Sequence, residues 1–324
     1  MPTRGQHRIE RLLILTSLIA IMLGRLRMST EEALQEYNRC AGNVFSLRNF
    51  KWTTLTEKFR ATALKDAVED LVRRRNMGEY LMEDGPKHDA KGQCFVCVMP
   101  ADRVGEPRRL ASFLTNDKLS QNDLKIWEAA RATTAASYYF KPMPLTIGKC
   151  LTEEYIDAAI GCNNPVEYLL HEAANRIGTA RRLGCVLSIG TGTRPVKIER
   201  ASTGLRNLMH TPKFGKALIG TLKNTATSGG GEETHRRVLA RLADYPDSYF
   251  RFNVPNAADL VGLDEYRKLK SLETATEGYV SEPLVATQVL KAASVLARNS
   301  SEHGMTVGLA GKKEASKRSP FAHF

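Results

Sequence analysis

Asp157 is the residue best placed to do chemistry, in the run "YIDAAIGCNNPVE" (residues 155 to 167). A carboxylate that closes a short apolar run and opens a loop can accept a proton as a general base, or cap nearby backbone amides. On residues alone, the capping role is the simpler reading. Cys94 and Cys97 form a C-x-x-C, but "QCFVCVMP" reads as a strand and no second pair stands at zinc spacing, so buried thiols are expected and no metal. Gly190 and Gly192 in "CVLSIGTGT" (185 to 193) suit a tight turn leaving a strand. The G-x-G-x-x-G spacing and the helix a phosphate cradle needs are missing, and no cofactor is expected. His171 lies beside apolar neighbours and His235 in a basic helical stretch, each a surface or packing residue.

These residues need elements to hold them. "MSTEEALQEYNRC" sets Ser29 as a helix cap with Glu32 three positions on, the reciprocal arrangement that satisfies free backbone donors. "RATALKDAVEDLVRRR" spaces Leu64, Ala67, Val68 and Leu71 on one helical face. "CFVCVMP" supplies a buried strand. "SQNDLKIWEAARATTAASYYF" opens with Ser120 and Asp123 as a cap, and its alanines suit close packing on a sheet. Before the next helix, Asn164 is the expected cap, Pro165 the first helical residue and Glu167 the residue three after the cap.

Alternating helices and strands through residue 200 predict a layered α/β/α fold with a mainly parallel sheet. A mainly helical extension over 201–300 is expected to pack on it, with "YFRFNV" as a strand and Gly229 to Gly231 as a flexible connector. Residues 301–324 have the polarity of a basic, disordered tail.

Composition narrows the class. The chain has 324 residues, 42% hydrophobic and 25% charged, an ordinary soluble balance with room for a large core. Its 47 basic and 35 acidic residues give +12, which favours anionic partners such as a phospholipid surface. The basic residues lack the aromatic interleaving of an RNA-binding sheet, so no nucleic acid is expected. Six irregularly placed cysteines point to a reducing, cytoplasmic setting with peripheral membrane attachment as an option. The apolar run "LLILTSLIAIML" after a basic start is near the length of a signal h-region. No small-residue cleavage site follows it, and an apolar helix buried under a sheet is the preferred reading.

Three blocks in order, "IWEAARATTAASYYFKPM" (126 to 143), "YIDAAIGCNNPVE" and "CVLSIGTGT", resemble patatin-like phospholipase domains of the fungal type. A fourth, "LIAIMLGRLRMS" (18 to 29), looks like the helix that follows the family's nucleophile, and with "YFRFNV" and "GLDEYRKL" the similarity covers most of residues 18 to 295. The resemblance implies a lipid acyl hydrolase. In such enzymes a Ser on a G-x-S-x-G elbow attacks the ester, a Gly-rich loop holds the oxyanion and an Asp is the base. It places Asp157 at the base position and Asn163, Asn164 and Pro165 in the segment that positions it.

The attacking half does not carry over. Aligned on "LIAIMLG", Ile14 falls at the nucleophile position, and Ser17 is a weak substitute about one helical turn along, without flanking glycines. No G-x-S-x-G occurs anywhere in these residues. Ala158 stands where the family has Gly; a positive φ there would cost roughly 1–2 kcal/mol. The expectation is a truncated domain missing its first strands, with an exposed sheet edge, that does not hydrolyse lipids by the family's mechanism. Two alternatives stand beside it: a non-catalytic membrane-surface module in which Leu12 to Leu23 insert, and a weak esterase using Ser17 with Asp157.

Overall fold

The computed structural model describes residues 16–51, 59–77, 80–83, 93–103, 105–113, 115, 124–136, 139–147, 151–159, 161–180, 183–192, 231–245, 247–257 and 269–297. Two compact units divide the chain, one running to Cys162 with 259–270, the other formed by 163–258 and 271–324.

In the first unit, helix α1 (Thr16–Ala20) passes into a π-helical turn over Ile21–Arg25, in which the Leu26 N–H reaches back to the Ile21 carbonyl at 2.8 Å. Leu18, Ile21 and Met22 are fully buried, so the described part of the apolar run is core helix. Helix α2 (Thr30–Val44) starts on the predicted capping box: the Glu32 N–H donates to Ser29 Oγ at 3.1 Å and the Ser29 N–H to Glu32 Oε2 at 2.9 Å. Helix α3 (Ala61–Arg74) buries Leu64, Ala67, Val68, Leu71 and Val72, the face its periodicity predicts. Ser120 and Asp123 lie outside the described residues. Helix α4 (Ile126–Thr133) instead begins with the Lys125 N–H donating to Glu128 Oε2 at 2.9 Å.

Strands β1 (Phe95–Pro100), β2 (Arg108–Ala111), β3 (Met143–Ile147) and β4 (Leu151–Asp157) form a sheet in the order β2-β1-β4-β3. Every pairing in it is antiparallel, which corrects the expected mainly parallel sheet. Connection length accounts for two of the three pairings. Seven residues, 101–107, join β1 to β2 and three, 148–150, join β3 to β4, whereas a parallel return needs a crossover of about a dozen or more. The sequence reading missed β2 and β3 because "RRLA" is half basic and "MPLTI" carries a proline. What stands is a mixed fold of helices and sheet.

The second unit contains α5 (Val166–Ile177), β5 (Val186–Ile189), α6 (Gly231–Arg241), β6 (Tyr249–Phe252), all but the first two residues of α7 (Leu269–Ser281), and α8 (Pro283–Ala297). Here β5 and β6 pair in parallel, with Ser188 opposite Arg251. Its small core gathers Val166, Leu170, Val186, Val238, Leu242 and Tyr249. Gly231 is the buried first residue of α6, not part of a loose connector, because its carbonyl accepts from Asn164 Nδ2 at 3.2 Å; Gly229 and Gly230 lie outside the described residues. Glu167 ties α5 to α6 by accepting from Arg237 Nη2 at 2.8 Å and Arg241 Nη2 at 3.1 Å.

Candidate functional site

Strand β4 delivers Asp157 at its last residue, half-buried and opposite Val98 of β1. Tyr155 and Ile156 just before it are both buried, one on each face, which fixes the end of the strand in the core beside the half-buried acid. The Asp157 N–H donates to the Ala135 carbonyl at 3.1 Å, so the chain leaving α4 holds the end of the strand. One carboxylate oxygen, Oδ1, accepts from the Ala159 N–H at 2.9 Å in a two-residue turn of the kind Asp side chains favour. The acid is thus oriented by its own loop, and the capping role and a base role are compatible in one geometry.

That loop closes on β1. The Cys162 N–H donates to the Ala158 carbonyl at 2.9 Å, and Gly161 adopts φ 99°, a conformation that favours glycine. A Cβ built on Gly161 would lie 3.5 Å from Met99 Cε of β1. Ala158 is buried without a positive φ, so the expected penalty for lacking glycine there does not arise. Beneath the loop, the Thr133 hydroxyl donates to the Cys97 carbonyl at 2.7 Å. The Cys162 thiol hydrogen-bonds the Cys97 thiol; that contact and burial push it far above the ordinary cysteine range, while Arg109 opposes the shift.

The nucleophile side is poorer. Ile14 lies outside the described residues. Ser17 is the second residue of α1, half-buried next to Leu18, and the residues before Thr16 lie outside the described residues.

The remaining expected residues belong to the second unit. Asn164 is buried and accepts from the Val166 N–H at 3.4 Å and from Ser188 Oγ at 3.2 Å, while its amide holds Gly231. The cap position of α5 belongs to Pro165, whose carbonyl accepts from the Leu169 N–H at 2.9 Å, so the expected cap at Asn164 and first helical residue at Pro165 are each one residue early. Asn163 is half-buried beside Gly231. Gly190 and Gly192 form the predicted turn. The Gly190 N–H donates to the Phe252 carbonyl and the Gly192 N–H to Asn253 Oδ1, both at 2.8 Å, and Gly192 has φ 106°. A side chain on Gly190 would collide with the Asn253 amide.

Sequence reasoning missed the polar group around Ser188. Arg251 Nη1 donates to Ser188 Oγ at 2.8 Å, and the Tyr249 hydroxyl meets His235 Nδ1 at 3.1 Å. Burial pushes the Tyr249 hydroxyl pKa up, against hydrogen bonds with Ser188 and Asn164 that lower it. Alternation in "CVLSIG" could have shown that Ser188 faces inward beside Val186, but nothing in one sequence pairs it with Arg251. Among the described residues no cluster of three or more His, Cys, Asp or Glu side chains is arranged to hold a metal, and no helix is long and apolar enough to cross a membrane.

Comparison with known proteins bears on the first unit most directly. The sequence model of the family described as "Patatin-like phospholipase" matches residues 15–170. The chain is 30% identical to "Patatin-like phospholipase 1" of Plasmodium falciparum over 172 residues, 49% of this chain and 24% of that protein. It is 27% identical to human "Calcium-independent phospholipase A2-gamma" over 269 residues, 81% of this chain and 32% of that protein. It thus spans about a quarter to a third of the length of these relatives.

Proposed function

We propose, from the premise that residues 15–170 of this chain belong to the patatin-like phospholipase family, that the chain carries the base-bearing half of a lipid acyl hydrolase site and does not turn over esters by itself. Its substrate class by kinship is a lipid or phospholipid. The observation that carries the reading is Asp157: a half-buried carboxylate aimed by the Ala159 N–H, at a strand end that the Ala135 carbonyl holds through the Asp157 N–H, as a base needs to be. Asn163, Asn164, Pro165, Gly190 and Gly192 are proposed, by the resemblance, as positioning residues of the second unit. The proposed organisation is an α/β domain over 1–200, a mainly helical extension over 201–300 and a basic tail over 301–324. The setting is cytoplasmic, with peripheral contact to anionic membranes.

The inactivity of the chain alone rests on residues that are present. By the resemblance an aliphatic side chain, Ile14, takes the place of the nucleophile hydroxyl, and Ser17 is a helical residue of α1 without flanking glycines. Purified chain assayed with a short-chain nitrophenyl ester is expected to match buffer, as are its Asp157→Ala and Ser17→Ala variants. Turnover by the unmodified chain that falls at least about a hundredfold in Asp157→Ala would show a complete site and sink the proposal. Turnover lost in Ser17→Ala as well would favour the weak esterase.

The +12 charge keeps a membrane-surface role in view. Liposome cosedimentation decides it: equal recovery on neutral and anionic vesicles removes the role.

A further inference from the structure

We infer that Cys97 and Cys162 form a reversible dithiol–disulfide pair that clamps the loop carrying Asp157 onto strand β1. Neither the C-x-x-C pattern nor the family resemblance suggests this pairing, and the sheet explains why. Residues three apart in an extended chain point to opposite faces, so Cys94 cannot reach Cys97. The β1–β4 register offers another partner. It pairs Pro100 with Tyr155, Met99 with Ile156 and Val98 with Asp157, so one further step brings Ala158 toward Cys97. The Ala158 carbonyl accepts from the Cys162 N–H, which folds Cys162 back over the same point. Gly161, one residue earlier, lies against Met99. Both thiols are reduced and buried, and they hydrogen-bond each other.

The chemistry needs a small oxidant, and a peroxide is the class that fits a buried pair. One thiolate sulfur attacks a peroxide oxygen, the O–O bond breaks and the departing hydroxide takes up a proton as water, leaving a sulfenic acid. The second thiolate attacks that sulfur; the S–S bond forms, the S–O bond breaks and a second water leaves. Two sulfurs are oxidised and the peroxide is reduced to two waters. Arg109, opposite Cys97 in the β1–β2 register, is the cation that favours a thiolate here, and Asp157 is the anion that opposes it. The reactive species is the thiolate, and the neighbouring Cys97 thiol and burial keep the Cys162 thiol protonated, so oxidation should accelerate as pH rises.

The test uses the full reduced chain treated with hydrogen peroxide, followed by peptide mass mapping without reductant. The expected product is a Cys97–Cys162 cross-link that is lighter by two hydrogens, forms faster at alkaline pH and reverts with dithiothreitol. Cys97→Ser and Cys162→Ser should each abolish it. Amide exchange over residues 158–162 should slow by about tenfold in the oxidised chain. Cross-links that join either cysteine to Cys94 or Cys185 instead would overturn the pairing, and so would free Cys97 and Cys162 under conditions that oxidise the less buried Cys185. Unchanged exchange in the cross-linked chain would overturn the clamp. These readouts are masses and exchange rates, so they stand apart from ester turnover and from the role assigned to Asp157.

Discussion

Buried polar side chains are satisfied differently on the two sides of the boundary after Cys162. In the first unit they donate to backbone. Arg25, 3% exposed, donates from Nε and Nη2 to the carbonyls of Leu81 and Met82, Arg131 donates to the Lys141 carbonyl, and Thr133 to that of Cys97. Burial brings the Arg131 guanidinium pKa down to about 10, yet it stays charged at neutral pH. In the second unit side chains, some of them partly exposed, bond chiefly to one another, with the Asn164 amide also reaching the Gly231 carbonyl: Asn164 with Ser188, Ser188 with Arg251, Tyr249 with His235, Glu167 with Arg237 and Arg241. Backbone acceptors are fixed by the fold, so the first arrangement is pairwise and hard to perturb. Linked side chains share partners, so removing one unsettles the others.

The apolar cores differ in the same sense. The first unit packs Phe59 edge-to-face on Phe45 at 5.3 Å and on Phe50 at 5.4 Å, with Phe59 only 1% exposed. The second leaves Leu284 81% exposed on α8. The largest contrast should therefore come from deleting these side chains. Phe59→Ala is expected to cost about 3–5 kcal/mol in urea unfolding, and Leu284→Ala to stay within about 0.5 kcal/mol. Similar losses for both would mean the two units are not packed as differently as their exposure indicates.

A smaller effect sharpens the polar side of the comparison. Ser188→Ala removes a hydroxyl that both accepts from Arg251 and donates to Asn164, and should cost about 1–3 kcal/mol. Combined with Arg251→Gln, its loss should be non-additive by about 1 kcal/mol, because each change already breaks the shared bond. Thr133→Val, which removes one bond to a fixed carbonyl, should cost about 1 kcal/mol and add independently to a change at Arg25. An additive Ser188–Arg251 cycle would erase the distinction between linked and pairwise polarity.

How much of this was legible in the sequence follows from the same distinction. Local rules found what local forces set: the Ser29–Glu32 box, the buried face of α3, strand β1 and the Gly190–Gly192 turn. Family resemblance points to Asp157 as a base, whereas the local rule reads only a carboxylate that caps nearby amides, and the Ala159 N–H fits that local reading. Strand direction was misread because β2 and β3 are short and partly polar, and missing them hid the hairpins that make the sheet antiparallel. The Ser188–Arg251 and Cys97–Cys162 contacts were invisible for a further reason. Each joins residues far apart in the chain, and nothing in residue type or spacing encodes which distant partner a serine or cysteine meets.

The subtlest expected difference is in response to pH, through His235. Burial, joined by the nearby Arg251 charge, lowers the His235 pKa below the ordinary histidine value, while Glu232 pulls it up. The groups that face it are thus Arg251, Glu232 and the Tyr249 hydroxyl, of which Tyr249 stays neutral through the acid range because burial raises its pKa. A depressed folded-state pKa means the unfolded chain takes up the proton more readily. The stability associated with neutral His235 is therefore complete above a pH of about 6.5 and drains away as pH falls below it. Because the ring is partly exposed, solvent screening keeps the effect modest. Urea midpoints measured between about pH 7.5 and 5 should fall more steeply for the unmodified chain than for His235→Gln, whose amide can still meet the Tyr249 hydroxyl but cannot titrate. Parallel midpoint curves would show that the His235–Tyr249 contact is as insensitive to protons as the backbone-anchored arginines of the first unit.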